Sequence, residues 1–123
     1  IKRFRKHSDL CSKSVIHCFT GNKELLDKYL SMGFSIGITG WICDDIRGKE
    51  LREAVKIIPL DRILVETDAP FLTPKNVPGL DRTNVPQNIK YVVRDLAKYM
   101  KVSEDILMEN ARKNTERIFH IEA

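Results

Sequence analysis

Apolar runs at residues 14–19, 34–38 and 62–66 each give way to a stretch of helical periodicity, and that alternation constrains the fold of this chain most tightly. Strands joined through helices lie parallel, with right-handed crossovers. The predicted order is strand, helix, strand, helix, strand, helix, helix. Asn22 is placed to cap the first helix, Leu25, Leu26, Tyr29 and Leu30 form its apolar face, and Gly33 ends it. A second helix over 48–58 offers Leu51, Ala54, Val55 and Ile58 to a core and stops at Pro59. Past Pro86, a third carries Ile89, Val92, Val93, Leu96 and Met100 on one stripe. Ser103, followed by Glu104 and Asp105, opens a fourth that runs to about Phe119. Residues 68–86 between strand and helix hold four of the 5 prolines, and a loop that long is either functional or disordered. Three strands are too few for a parallel sheet covered on both faces. The sheet is therefore expected to continue in sequence outside this chain, or to be completed by another chain.

The 123 residues amount to one domain or less. A net charge of +4 and a pI near 9.0 suit a phosphate-bearing partner without specifying one. No apolar run approaches the roughly 18 residues of a membrane helix and no signal-peptide pattern is present, so no membrane partner and a cytoplasmic or otherwise intracellular setting are expected. Cys11, Cys18 and Cys43 are odd in number and lack metal-site spacing, which reads as reduced thiols. The chain opens on Ile1 inside a basic stretch, so residues 1–13 read as the tail of a preceding helix and the whole as a piece of something longer.

Within the third run, Ile63-Leu-Val-Glu-Thr-Asp-Ala-Pro70, charge is saved for the end of the strand. In parallel α/β folds the carboxyl ends of strands face the active site, so Glu66 and Asp68 are candidates for metal or proton chemistry. A carboxylate there can bind a hard divalent ion or take a proton from water; the competing reading makes Asp68 the cap of the turn before Pro70. Glu66 shares its parity and would sit one layer deeper, behind the ligand. His17, at the end of the first run, is either a ligand or a half-buried histidine bonded to backbone. Cys18, next along a regular strand, would point to the opposite face and pack. Trp41 either stacks on a base at the rim or covers the core edge. Arg47, Lys75 and Arg82 could meet phosphates or simply be solvated. His7 and His120 have no partner at a ligand spacing. A hydrolytic metal site needs at least three protein ligands, and the chain offers two good ones.

His17-Cys-Phe-Thr-Gly21, Ile36-Gly-Ile-Thr-Gly-Trp41, Ile63–Pro70 and Arg82-Thr-Asn-Val-Pro86, in that order, resemble the carboxyl-terminal half of the TatD family of metal-dependent deoxyribonucleases. Asn110-Ala-Arg-Lys-Asn114 and Ile118-Phe119 resemble that family's last helix, so the likeness runs from Ser14 to Ile121. It implies an α/β fold, a TIM-type (β/α)8 barrel of the metal-dependent hydrolase superfamily, of which residues 14–123 would carry the last three strands and their helices. It also implies two divalent metal ions at the barrel mouth and cleavage of DNA phosphodiester bonds, often as a 3′→5′ exonuclease. His17 would be a metal ligand, and Asp68 a ligand that also orients or deprotonates the attacking water. Arg82 and Asn84 would belong to a loop motif at the rim and, with Trp41, make the expected substrate-binding set. Two departures stand out. The family's amino-terminal His-x-His pair, its fourth-strand glutamate and its fifth-strand histidine have no counterpart, so the chain alone is expected to be inactive and to require the missing amino-terminal half. Val85 also stands where the family's loop motif carries Glu. Two other readings follow from the same residues: a metal hydrolase acting on an ester or amide, and a silent half-barrel that self-associates through its open edges as a homo-oligomer.

Overall fold

The computed structural model describes residues 8–120. Its sheet has three parallel strands in the order β1-β2-β3, with β1 at Val15–Ile16, β2 at Ser35–Ile38 and β3 at Ile63–Val65. Four helices follow the strands: α1 (Lys23–Met32), α2 (Lys49–Ala54), α3 (Ile89–Met100) and α4 (Glu104–Phe119). This is the element order that the periodicity predicts. Of the expected helical tail over 1–13, Ser8–Lys13 forms a 3-10 helix, and the remainder, with His7, lies outside the described residues.

The helix ends form where the sequence provides for them. Asn22 Oδ1 accepts the Leu25 amide at 2.9 Å, and Gly33, at a φ of 103° that suits only glycine well, closes α1 by donating to Leu30 and Tyr29. Ser103 caps α4 by accepting the Ile106 amide at 3.1 Å. α2 is shorter than the predicted 48–58. It tightens into a 3-10 turn over Val55–Ile57, because Pro59 pushes Ile58 out of the helical region to a ψ of 121°. Leu25, expected on the buried face of α1, is 37% exposed, and Leu26 takes the core position.

The first strand is also shorter than its apolar run. The chain turns at His17 and Cys18, the latter at a left-handed φ of 50°, and the Phe19 amide rejoins the sheet by donating to Gly37 O at 3.0 Å. Past β3, the Glu66 amide extends the ladder to Ile38 O at 2.8 Å.

Register sorts the two sheet faces. Ile36 lies beside Ile63, Gly37 beside Leu64 and Ile38 beside Val65. Ile36, Ile38 and Ile63 are fully buried in the cluster that includes Leu26, Leu96 and Leu107 of the helices, and each such leucine contributes about 1.5–3 kcal/mol. Ser35, Gly37 and Thr39 alternate onto the other face, where β2 contributes only small residues beside Leu64 of β3. α4 packs on β3 and on the Leu60–Arg62 turn, while α3 covers the Gly40–Cys43 turn. Asn114, buried within α4, donates to Leu60 O and Ile63 O at 2.8 Å each and pins the start of β3. Phe19, Tyr29 and Phe34 stack edge to face and join α1 to the sheet. Among the described residues, no helix is long and apolar enough to cross a membrane.

Candidate active site

Parallel strands deliver their carboxyl ends to one side of a sheet, and the acid and base candidates gather there. His17 occupies the turn after β1, and Glu66 and Asp68 follow β3. The imidazole lies between the two carboxylates, with Nδ1 2.8 Å from Glu66 Oε2 and Nε2 3.2 Å from Asp68 Oδ1. Glu66 Oε2 also accepts the Cys18 amide at 3.1 Å, so one carboxylate oxygen fixes both the ring and the backbone that carries it.

Room for that carboxylate comes from Gly37. A Cβ there would stand 2.4 Å from Glu66 Oε2, a contact no ordinary side chain tolerates. The glycine's φ is not left-handed; a lack of bulk is what the position requires.

His17 is open to solvent, with 64% of its side chain exposed against 22% for Glu66 and 24% for Asp68. Its pKa is raised, first by the hydrogen bond to Glu66 and then by that carboxylate's charge; desolvation opposes them, and the Asp68 charge adds the least. Glu66 on Nδ1 selects the orientation in which Nε2 faces Asp68, the arrangement by which a carboxylate positions a metal-binding histidine.

Cys18 departs from the sequence reading. The turn swings it away from the packing face, and its thiol lies 3.3 Å from Thr39 Oγ1, beside the carboxylates. Burial pushes the thiol pKa up, the Thr39 contact partly offsets this, and Asp68 and Glu66 push it further up.

Imidazole nitrogen and carboxylate oxygen are the donors expected around zinc, manganese or magnesium. Their chemistry suits a divalent ion, and their number does not complete a site. Among the described residues no group of three or more His, Cys, Asp or Glu is arranged to hold one.

Residues 68–86 are ordered by their own polar groups. Asn84 is buried, not at the rim. Its Nδ2 donates to Thr67 Oγ1 at 3.1 Å and to Phe71 O at 2.9 Å, while its Oδ1 accepts Asn88 Nδ2 at 2.9 Å and the Val85 amide at 3.0 Å. Every polar atom of that side chain is committed to the loop, so it shapes the site through the backbone it holds. The loop also lies directly on Gly40, where a Cβ would stand 2.2 Å from Leu72 O.

Trp41, half-buried in the turn after β2, packs on the core cluster, and the Arg47 guanidinium sits 5.4 Å above its ring. Arg82 is exposed on the facing loop, and Lys75 reaches Asp44 at 3.5 Å. Two cavities meet at Trp41 and Arg47. One of about 360 Å³ includes Cys18 and Thr20; one of about 600 Å³ runs under the 68–86 loop past Leu72, Leu80 and Arg82.

Sequence reasoning selected His17, Glu66 and Asp68, which converge. It missed Gly37, Thr39 and the Cys18 amide. The one available signal was a glycine at the centre of a buried strand, which often marks a close approach.

The family profile described as TatD related DNase matches residues 1–120. A curated protein of Rahnella sp., named 3'-5' ssDNA/RNA exonuclease TatD, is 40% identical over 111 residues, covering 89% of this chain and 42% of its own length. The protein of the same name from Pectobacterium parmentieri is 43% identical over 110 residues, with 88% and 42% covered. The chain thus spans about two fifths of the length of these relatives. Among solved structures, a TatD homolog from Escherichia coli K12 superposes with a TM-score of 0.84 at 25% identity, over 98% of this chain and 45% of that one. A hydrolase TatD family protein from Entamoeba histolytica gives 0.76 at 25% identity, over 88% and 42%. The three strands and their helices are accordingly part of a TIM-type barrel.

Proposed function

Since the chain belongs to the TatD related DNase family, we propose that it supplies one side of the catalytic mouth of a metal-dependent nuclease that hydrolyses nucleic-acid phosphodiester bonds from a 3′ end. The observation that carries this reading is the His17 ring held between Glu66 and Asp68 at the carboxyl ends of neighbouring parallel strands. The names of the curated relatives support the substrate class and the direction of attack.

In this reading residues 14–123 form the carboxyl-terminal half of the barrel, and the rest of the parent protein completes the donor set. His17 Nε2 and Asp68 would hold one of two divalent ions. Such ions supply Lewis-acid polarisation of the phosphodiester and make water more acidic. Glu66 keeps the imidazole oriented through Nδ1. Asp68 takes a proton from the attacking water at a carboxylate oxygen, or orients that water by hydrogen bonding. Exposed Arg82 and half-buried Trp41 would face the nucleic-acid strand, and Asn84 holds the loop that presents Arg82. Phosphate contacts of this kind bind backbone without reading sequence and weaken as salt rises.

The test is exonuclease activity of the full-length parent on 3′-labelled single-stranded DNA, with a chelator control. His17→Ala and Asp68→Asn should each remove activity while leaving the melting temperature within a few degrees. Full activity in either variant refutes the assignment.

A further inference from the structure

The outer face of α3 carries charge of one sign. Lys90, Arg94 and Lys98 recur at intervals of four residues and are all exposed, and Lys101 follows at the C-cap. The helix's one carboxylate, Asp95, is buried. Like charges at that spacing repel and weaken a helix, so helix stability does not account for the row. The helix dipole favours Lys98 and Lys101 near the carboxyl end but disfavours Lys90 in the first turn. α4 shows how a merely solvated face is built in this protein. There Arg112 pairs with Glu109 at 2.7 Å and with Glu116 at 2.8 Å, and Lys113 also approaches Glu109. Among the described residues, Lys90, Lys98 and Lys101 are in no ion pair, and Arg94 pairs only with buried Asp95.

These cations are also held in place. Tyr91 lies under Lys90 Nζ at 5.1 Å and under the Arg94 guanidinium at 5.4 Å, and Tyr99 lies under Lys98 at 5.4 Å and Arg52 at 4.9 Å. Arg94 is anchored further, through Nε to Asp95 at 2.9 Å and through an Nη to Asn76 Oδ1 at 3.2 Å, and still exposes 43% of its side chain. Groups fixed in this way lose less conformational freedom when a ligand binds. Asn76 belongs to the 68–86 loop, so the same bond joins the row to the loop that leaves the candidate site.

A row one side chain wide, with charges about 6 Å apart along the axis, fits a linear polyanion. A membrane surface would require apolar side chains beside the cations, and α3 sends Val92, Val93 and Leu96 into the core instead. We infer that the outer face of α3 is a second nucleic-acid track, in which Lys90, Arg94, Lys98 and Lys101 hold phosphates of the strand beyond the nucleotides at the catalytic mouth. This rests on the nuclease reading for the identity of the polyanion and adds a contact surface outside that site. Binding there depends on charge and not on sequence, and affinity grows with the length of the strand.

The test replaces Lys90, Lys98 and Lys101 together by Gln, and in a control variant Lys13, Lys23 and Lys28, which are equally exposed and remove the same charge elsewhere. Circular dichroism and thermal melts establish that both variants fold. A labelled single strand of about 20 nucleotides, titrated into this chain in chelator, should bind the first variant about 10- to 100-fold more weakly at 0.1 M salt, with a salt slope lower by about 2. The control variant should bind nearly as the unmodified chain does. In the full-length parent, the first variant should raise KM for the long strand about tenfold while leaving kcat, and KM for a trinucleotide, unchanged. An equal loss in the control variant, an unchanged salt slope, or the same KM effect at both lengths overturns the track. So does tighter binding of poly-glutamate or of phosphatidylserine vesicles than of the strand. The two readings fail separately. Activity that depends on Asp68 but not on the α3 lysines refutes the track alone, and lysine-dependent binding by a parent that cuts no nucleic acid refutes the nuclease assignment alone.

Discussion

Gly37→Ala should damage the site while sparing the fold. The added Cβ would stand 2.4 Å from Glu66 Oε2, 2.5 Å from its carboxyl carbon and 2.9 Å from Oε1, whereas ordinary contact begins near 3.4 Å. All three atoms belong to the end of one flexible side chain, so the carboxylate yields before the sheet does. It must recede by about 1 Å, enough to put a hydrogen bond of normal length out of reach. A shift of that size sacrifices the 2.8 Å contact with His17, the 3.1 Å contact with the Cys18 amide, or both. Gly37 has no left-handed φ, and alanine in a strand loses less backbone entropy than glycine. Stability should therefore change by no more than about 1 kcal/mol. Loss of a carboxylate behind a metal-binding histidine typically lowers metal affinity or activity by about 10- to 100-fold. The assay pairs a urea melt of this chain with kcat/KM and metal titration of the full-length parent, and nitrogen NMR of the His17 ring reads the Nδ1 hydrogen bond without requiring activity. Wild-type metal affinity, activity and ring signals in a folded variant would refute the claim that Glu66 positions His17. A variant that fails to fold would show that the sheet yields before the side chain.

Asn84→Ala should cost about 1–3 kcal/mol in a urea melt and expose the 68–86 loop to proteolysis, because it leaves buried Asn88 without its partner and releases Thr67 and the Phe71 carbonyl; an unchanged melt contradicts the buried placement. Burial pushes the Asp95 carboxyl up, yet hydrogen bonds from Arg94, Asn76 and the Cys43 thiol outweigh it and hold the pKa below the usual value. A folded pKa below the unfolded one, near 3.9, means the stabilisation is complete above that pH and is lost as pH falls toward the folded value. Asp95→Asn should thus cost about 1–3 kcal/mol at pH 7 and clearly less at pH 3, and an equal penalty at both contradicts the linkage. Thiol labelling should modify Cys18 first, at a rate below that of a free thiol because its pKa is raised, while Cys11 at 1% and Cys43 at 0% exposure wait for unfolding; simultaneous reaction of all three refutes this order.

How far the sequence could be read depended on the range of the interaction that decides each feature. The caps at Asn22, Gly33 and Ser103 act within four residues, and the helices begin and end near them. The end of β1 is different. Val15-Ile-His-Cys-Phe reads as unbroken strand, and nothing local to it announces a turn. The Cys18 amide turns to a carboxylate 48 residues further on, a partner that no window of periodicity contains. That turn also carries the thiol away from the packing face assigned to it.

The same contrast separates the candidate site from its supports. His17 and Asp68 were visible because strand position and residue type together imply chemistry, without any knowledge of neighbours. Asn84 was misplaced at the rim because a polar residue in a proline-rich loop looks exposed until its partners are known, and those partners are spread from Thr67 to Asn88. Gly37 stands out in the sequence only as a member of the Ile36–Trp41 motif, although the reason for its size is the Glu66 carboxylate. The supports share one property: Glu66, the Cys18 amide, Gly37, Gly40 and Asn84 all lie within this chain, on elements packed to one another. The orientation of His17 and the path of the long loop are therefore set before any other donor arrives. In the proposed nuclease, a half-site held this way would gain its remaining ligands without the ordering penalty of assembling all of its groups at once.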